Sequence, residues 1–183
     1  EIEAFKGLHL GKRLFILASG PSLATLNLSL LDRRITMGLN RSFLIYPYTY
    51  YHCVMDQRVF DMYPEELKKS RQLFTIEGRP FGIRLGNLAA EGFSWDLAQG
   101  VHTGYTIAYL ALQLAVYMGF SEVYYLGLDL RLDREDRLRG AEAAAIRQHD
   151  AVAVGGVGVV EVEDVLLAVA VHVGDPEGGP VVE

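Results

Sequence analysis

The chain has 183 residues, 50% hydrophobic and 22% charged, the size and balance of one globular domain. A net charge of −6 and a pI near 5.4 argue against nucleic acid or an anionic membrane surface as the main partner. The single cysteine, Cys53, excludes an internal disulfide and a cysteine-based zinc site, as expected for a cytoplasmic protein, and no apolar run reaches the ~18 residues that span a bilayer.

The first residues, Glu1 to Lys6, do not resemble a signal peptide, and a start at Glu1 rather than Met suits a piece of a longer protein. Residues 13–18 form a short apolar run entering the turn Ser19-Gly20-Pro21-Ser22, which predicts a buried strand. Ser22 is placed to cap a short helix over 23–31. Residues 35–39 read as a second strand ending at Asn40, followed by a helical stretch around 42–46 that stops at Pro47. A third strand over 51–55 ends at Asp56. Residues 64–70 predict a charged surface helix and 72–76 a fourth strand, while the glycine-rich stretch 77–100 reads as an irregular loop. The strongest helix spans 103–118, apolar nearly all round and therefore buried, with Gly119 as its stop. A fifth strand over 122–128 ends at Asp129. Apolar strands alternating with helices predict an α/β fold, a Rossmann-like parallel sheet with helices on both faces, over residues 10–130.

Composition breaks after that. Every aromatic residue lies at or before Tyr125. Residues 1–138 carry equal numbers of basic and acidic side chains, so 139–183 supply the whole net charge. From Ala141 onward Ala, Val, Gly, Asp and Glu dominate. All five have codons beginning with G. The tail, 131–183, is either an out-of-frame translation of GC-rich sequence or a Val/Gly-rich β-prone segment, as at 151–160 and 165–173, and carries no functional weight in either case.

In open parallel sheets ligands bind beyond the carboxyl ends of the strands. Four strand ends here carry small or hydrogen-bonding groups: Ser19, Gly20, Pro21 and Ser22 after the first strand, then Asn40, Asp56 and Asp129. The long helix opens with His102-Thr103-Gly104, whose backbone N–H groups and hydroxyl suit a phosphate. Each has a plainer reading as turn, cap or loop residue; together on one rim they predict a phosphate-bearing ligand. On that basis exchanging Thr103-Gly104 for Val-Ala is expected to weaken nucleotide binding with the fold intact. Sequence motifs exclude other classes. There is no G-x-G-x-x-G after the first strand, no P-loop and no G-x-S-x-G elbow, and the histidines lack H-x-x-x-H spacing. His52, inside a strand, is expected to be packed rather than catalytic. Tyr46, Tyr48, Tyr50 and Tyr51 offer rings for a base but at this spacing read better as packing.

Phe15 to Leu23, then Gly38-Leu39-Asn40-Arg41, then 50–56, resemble the 6-hydroxymethylpterin diphosphokinase MptE-like domain. Thr103-Gly104-Tyr105-Thr106 through Met118-Gly119-Phe120, with Glu122-Val123-Tyr124 and Leu126-Gly127-Leu128-Asp129, are similar to that family's closing helix and strand. The family is related to bacterial sialyltransferases that use a CMP-sugar and to motility accessory factors that glycosylate flagellin. The version here looks most like members encoded beside surface-polysaccharide genes. The resemblance implies that Ser19 to Ser22, Asn40, Asp56, Thr103, Gly104 and Asp129 line a nucleotide site. It departs from the pattern at Ser19, where the sialyltransferases have Asn, and after Asp129, where Leu130-Arg131-Leu132 replaces an aromatic and a lid bearing a histidine base.

The expectation is a nucleotide-dependent transferase. As a glycosyltransferase it would use a nucleotide-sugar donor, with His102 or Asp129 as base. As a diphosphokinase it would use ATP, with Asp56 and Asp129 holding Mg²⁺. The competing expectation is a truncated, non-catalytic nucleotide-binding module.

Overall fold

Strict alternation of side chains decides how the sheet is covered. On β1 (Arg13–Leu17), Leu14 and Ile16 face one side and Phe15 and Leu17 the other, and all four are buried. The same holds on β2 (Thr36–Leu39), β3 (Tyr51–Cys53), β4 (Gln72–Ile76) and β6 (Glu122–Leu126), whereas the edge strand β5 (Ile83–Leu85) buries Leu85 and exposes Arg84. A strand hidden on both faces needs helices above and below it. In this computed structural model, residues 1–89, 91–104 and 106–128 are described, together with the backbone of β7 (Val157–Val162) and β8 (Val165–His172).

The strand order is β5-β4-β3-β2-β1-β6-β8-β7. The first six strands are all parallel, and β8 runs antiparallel to β6 with β7 antiparallel beyond it. At the amino-terminal end, Arg13 and Glu122 are Cα partners and their side chains pair at 2.8 Å. From β1 the chain steps outward to β5, then returns to lay β6 on the other flank of β1. The direction of winding therefore reverses between β1 and β6. The fold is Rossmann-like α/β, as its alternation predicts.

One face is covered by α3 (Ile107–Tyr117), whose Leu110, Ala111, Leu114 and Ala115 have no exposed surface. They pack with Leu14, Ile16, Met37, Tyr51, Phe74 and Val123 in the main core. The opposite face is covered by α1 (Gln57–Met62), α2 (Pro64–Lys68) and the 3-10 turns Pro21–Thr25 and Leu28–Leu31. Gly119, at φ +85°, ends α3: its N–H reaches the Val116 carbonyl and that of Phe120 reaches Ala115, the paired bonds of a Schellman stop.

Several boundaries differ from expectation. Residues 23–31 form two 3-10 turns rather than one helix, because Leu26 between them is extended, with φ −84° and ψ 149°. Thr25 and Ser29 tie their hydroxyls to Ser22 O and Asn27 Oδ1, local bonds that compete with a continuous helix. Gly20, not Ser22, holds the N-cap position there. The stretch 77–100 contains β5 and an isolated bridge between Asn87 and Val101, and α1 lies in a stretch assigned no element. No helix among the described residues is long and apolar enough to cross a membrane.

Candidate functional site

Because β1 to β6 are parallel, their carboxyl ends share one rim, and the reversal of winding makes the β1–β6 boundary the switch point at which open sheets of this kind carry a ligand crevice. The turn after β1 is bound tightly to the end of β6. Ala18 N–H donates to Leu126 O at 2.8 Å and Gly20 N–H to Gly127 O at 2.9 Å. Gly127 has φ +67°, and a Cβ there would lie 2.6 Å from Cβ of Leu23, so only glycine lets the first turn close down on β6. The sequence placed Gly20 and Pro21 among the rim residues expected at a phosphate-bearing ligand; the Gly20 amide is committed to β6, and Pro21 has none. Ser19 is exposed at this point of the rim. Asp129, the next sequence-predicted residue, lies outside the described residues.

At the end of β2, Asn40 sits in the left-handed region at φ +47°. Asparagine tolerates that conformation better than most residues. Its N–H donates to Cys53 O at 2.9 Å, and its carbonyl accepts from His52 Nε2 at 2.9 Å. Its side-chain Oδ1 is buried with no hydrogen-bond partner. His52 is packed, as expected, with 1% exposure, and burial pushes its pKa down to about 4.

Asp56, at the end of β3, is exposed and accepts from Arg58 N–H at 2.9 Å, which makes it the N-cap of α1. The plainer reading of this carboxylate is the one observed. Beside it, Arg79 from the β4–β5 connection donates from Nε to Met55 O at 2.5 Å. This rim cation was missed in the sequence because it falls in the stretch read as irregular.

The start of α3 also lies at this end of the sheet, since Tyr125 near the end of β6 donates to Ala108 O at 2.8 Å. The helix begins four residues later than expected. Thr106, not Thr103, is its N-cap, accepting from Ala108 N–H at 3.2 Å. Thr103 and Gly104 form the preceding turn, closed by Thr106 N–H to Thr103 O at 3.1 Å. Gly104 has φ +52°, and a Cβ would fall 2.3 Å from the Tyr109 ring, so Gly104→Ala disturbs packing and is no silent test of phosphate binding. Thr106→Ala should instead cost about 1 kcal/mol of unfolding free energy in urea titration.

His102 is half-buried. Its Nδ1 donates to Ala89 O at 2.7 Å, which leaves Nε2 as the acceptor nitrogen. Its backbone is clamped by Gln113, the one polar residue on the buried helix. Gln113 Oε1 accepts from Ser94 N–H at 3.0 Å and His102 N–H at 3.1 Å, and Nε2 donates to His102 O at 2.6 Å and Tyr109 O at 3.2 Å. A lone glutamine in an apolar run was the available signal for this clamp.

Tyr46 packs against the Leu17, Leu23 and Leu126 cluster and touches Tyr48, while the other two tyrosines lie away from the rim. Tyr51 is 1% exposed in the core, and Tyr50 donates its N–H to Thr36 Oγ1 at the amino-terminal end of the sheet, the wrong end for a base at the rim. A surface depression lined by Phe5, Lys68, Arg71, Phe81 and Ile83 is likewise at the amino-terminal end, against β4 and β5. Among the described residues no three His, Cys, Asp or Glu side chains gather as a metal set. Compared with protein-family models, curated proteins and solved structures, the chain matches none of them.

Proposed function

We propose that this chain is a nucleotide-dependent transferase of the MptE-like and sialyltransferase-like type, with a nucleotide-sugar donor lying across the β1–β6 crevice. The acceptor would be a hydroxyl of a surface polysaccharide under assembly. The observation that carries this reading is the reversal of strand order between β1 and β6. At that point an open α/β sheet has room for a ligand beyond its strand ends. The orphaned Oδ1 of Asn40 supports it, since a buried acceptor without a partner is costly unless a ligand donor meets it.

In this reading the leaving phosphate meets the start of α3 at the Ile107 N–H, since Ala108 N–H is taken by the Thr106 cap and Gly20 N–H by β6. Attack by the acceptor oxygen on the anomeric carbon breaks the bond to the nucleotide phosphate, which leaves with the electron pair. The proton passes to a base, for which His102 Nε2 has its lone pair outward from the Ala89 bond. A preorganised donor at the developing charge is worth ~3–4 kcal/mol in catalysis.

A thermal-shift series with CMP, CDP, UDP, GDP and ATP, each with and without Mg²⁺, tests this. Ligand at 100-fold over Kd adds about 2.7 kcal/mol, several degrees for a chain of this size. A metal-independent shift with CMP, CDP or UDP is the expected result. A shift only with ATP and Mg²⁺ would favour the diphosphokinase, and no shift with any nucleotide would overturn the proposal.

A further inference from the structure

Under the end of β2 lies a buried polar cluster that belongs neither to the hydrophobic core nor to the surface. His52, on β3, is a Cα partner of Gly38 on β2. A Cβ on Gly38 would stand 2.4 Å from His52 Nδ1 and 2.8 Å from Ser42 Oγ, so the missing side chain is what lets the imidazole lie over β2. From there the ring reaches past its own register, and Nε2 meets the Asn40 carbonyl at 2.9 Å. Ser42 Oγ, itself fully buried, accepts from Leu39 N–H at 2.9 Å and closes the turn from the other side. Thr49 Oγ1 faces the second ring nitrogen at 3.5 Å.

Each contact acts on the peptide units around Asn40. Its N–H is fixed by Cys53 O, its C=O by His52, and the residue before it by Ser42. A positive φ at a non-glycine residue costs of order 1 kcal/mol and persists only where the surroundings determine it. Packing alone would be met more simply by an apolar residue on this buried strand. A histidine here supplies a directed donor. The carbonyl acceptor also sets the tautomer: the proton sits on Nε2, and Nδ1 accepts.

We infer that His52 is a positioning residue, one that holds Asn40 in its left-handed conformation and so sets where the Asn40 side-chain amide stands at the rim. Its consequence for ligand affinity rests on the nucleotide reading of the crevice; its control of Asn40 does not.

The test combines nitrogen-15 spectra of the wild-type protein with two variants. In the wild type, His52 should show the neutral Nε2–H tautomer; an Nδ1–H tautomer would overturn the inference without any mutation. His52→Leu should shift the Asn40 backbone and side-chain amide signals, and His52→Gln, which keeps a donor at similar reach, should restore most of them. Titrated with CMP, UDP and ATP, His52→Leu should bind at least tenfold more weakly than wild type, with His52→Gln intermediate. Asn40 signals unchanged in folded His52→Leu, or unchanged affinity in that variant, would overturn it. If the wild type binds none of the three nucleotides, the nucleotide reading falls, and the tautomer and the Asn40 signals still decide the role of His52.

Discussion

Replacing Gln113 by leucine should lower the unfolding free energy by about 3–5 kcal/mol, although leucine nearly matches its volume and is the commoner residue on a buried helix. Gln113 has no exposed surface, and all four hydrogen-bonding positions of its amide are filled. Leucine would keep the packing and remove the bonds. Tyr109 O retains its helical partner, so the loss falls on Ser94 N–H and on both backbone groups of His102. Each buried group left unpaired costs ~1–3 kcal/mol, with part of the His102 share regained from water. The loop over 86–106 would detach from α3 before the sheet unfolds. Urea titration gives the stability, and amide exchange at Ser94 and His102 should accelerate more than at Phe74. A loss below 1 kcal/mol, with exchange unchanged, would show that the loop is held instead by Phe93, whose ring meets Tyr109 of α3 edge-on at 6.2 Å between centroids.

The sheet was legible because its strands are hidden on both faces, and residues such as Phe15-Ile16-Leu17 or Val123 to Leu126 then read as continuous apolar runs. Gly119 marked its helix stop because a left-handed C′ position selects glycine. The β5 strand was not legible, since Ile83-Arg84-Leu85 is three residues long in a glycine-rich setting and gains its identity from pairing with β4. The start of α3 was misplaced because Thr103 and Thr106 are equal as caps in sequence. What separates them is Gly104, whose φ of +52° turns the chain between them. At the rim, residue type predicted location better than role. Asn40 and Asp56 do stand at strand ends, yet Asp56 caps α1 and the Gly20 amide is bonded to β6. A chemical reading of one residue cannot see such a partner when it lies about a hundred positions away, as Gly127 does from Gly20. His52 shows the converse: burial was foreseen, and the bond to Asn40 was not, because it depends on the missing side chain of Gly38.

That buried imidazole should make the protein acid-labile in a definite window. Burial pushes the His52 pKa from an ordinary 6.5 down to about 4, outweighing the opposing effect of its bond to Asn40. The unfolded chain therefore takes up a proton near pH 6.5 and the folded chain does so only near pH 4. Above about 6.5 neither form is charged and His52 adds no pH dependence. As pH falls from 6.5 to 4, the unfolded state is favoured by about 1.4 kcal/mol per unit, roughly 3 kcal/mol in all. His9 acts in the same direction, its pKa lowered first by burial and then by Lys12. Glutamine at position 52 stays neutral throughout, so urea titrations of wild type and His52→Gln at pH 7.5, 6 and 5 should diverge. The wild type should lose stability more steeply, by close to one proton's worth of slope, below pH 6.5. Parallel curves would mean that His52 is reached by water and charged in the folded state, its Nε2 donating to the Asn40 carbonyl and its Nδ1 to Thr49 Oγ1.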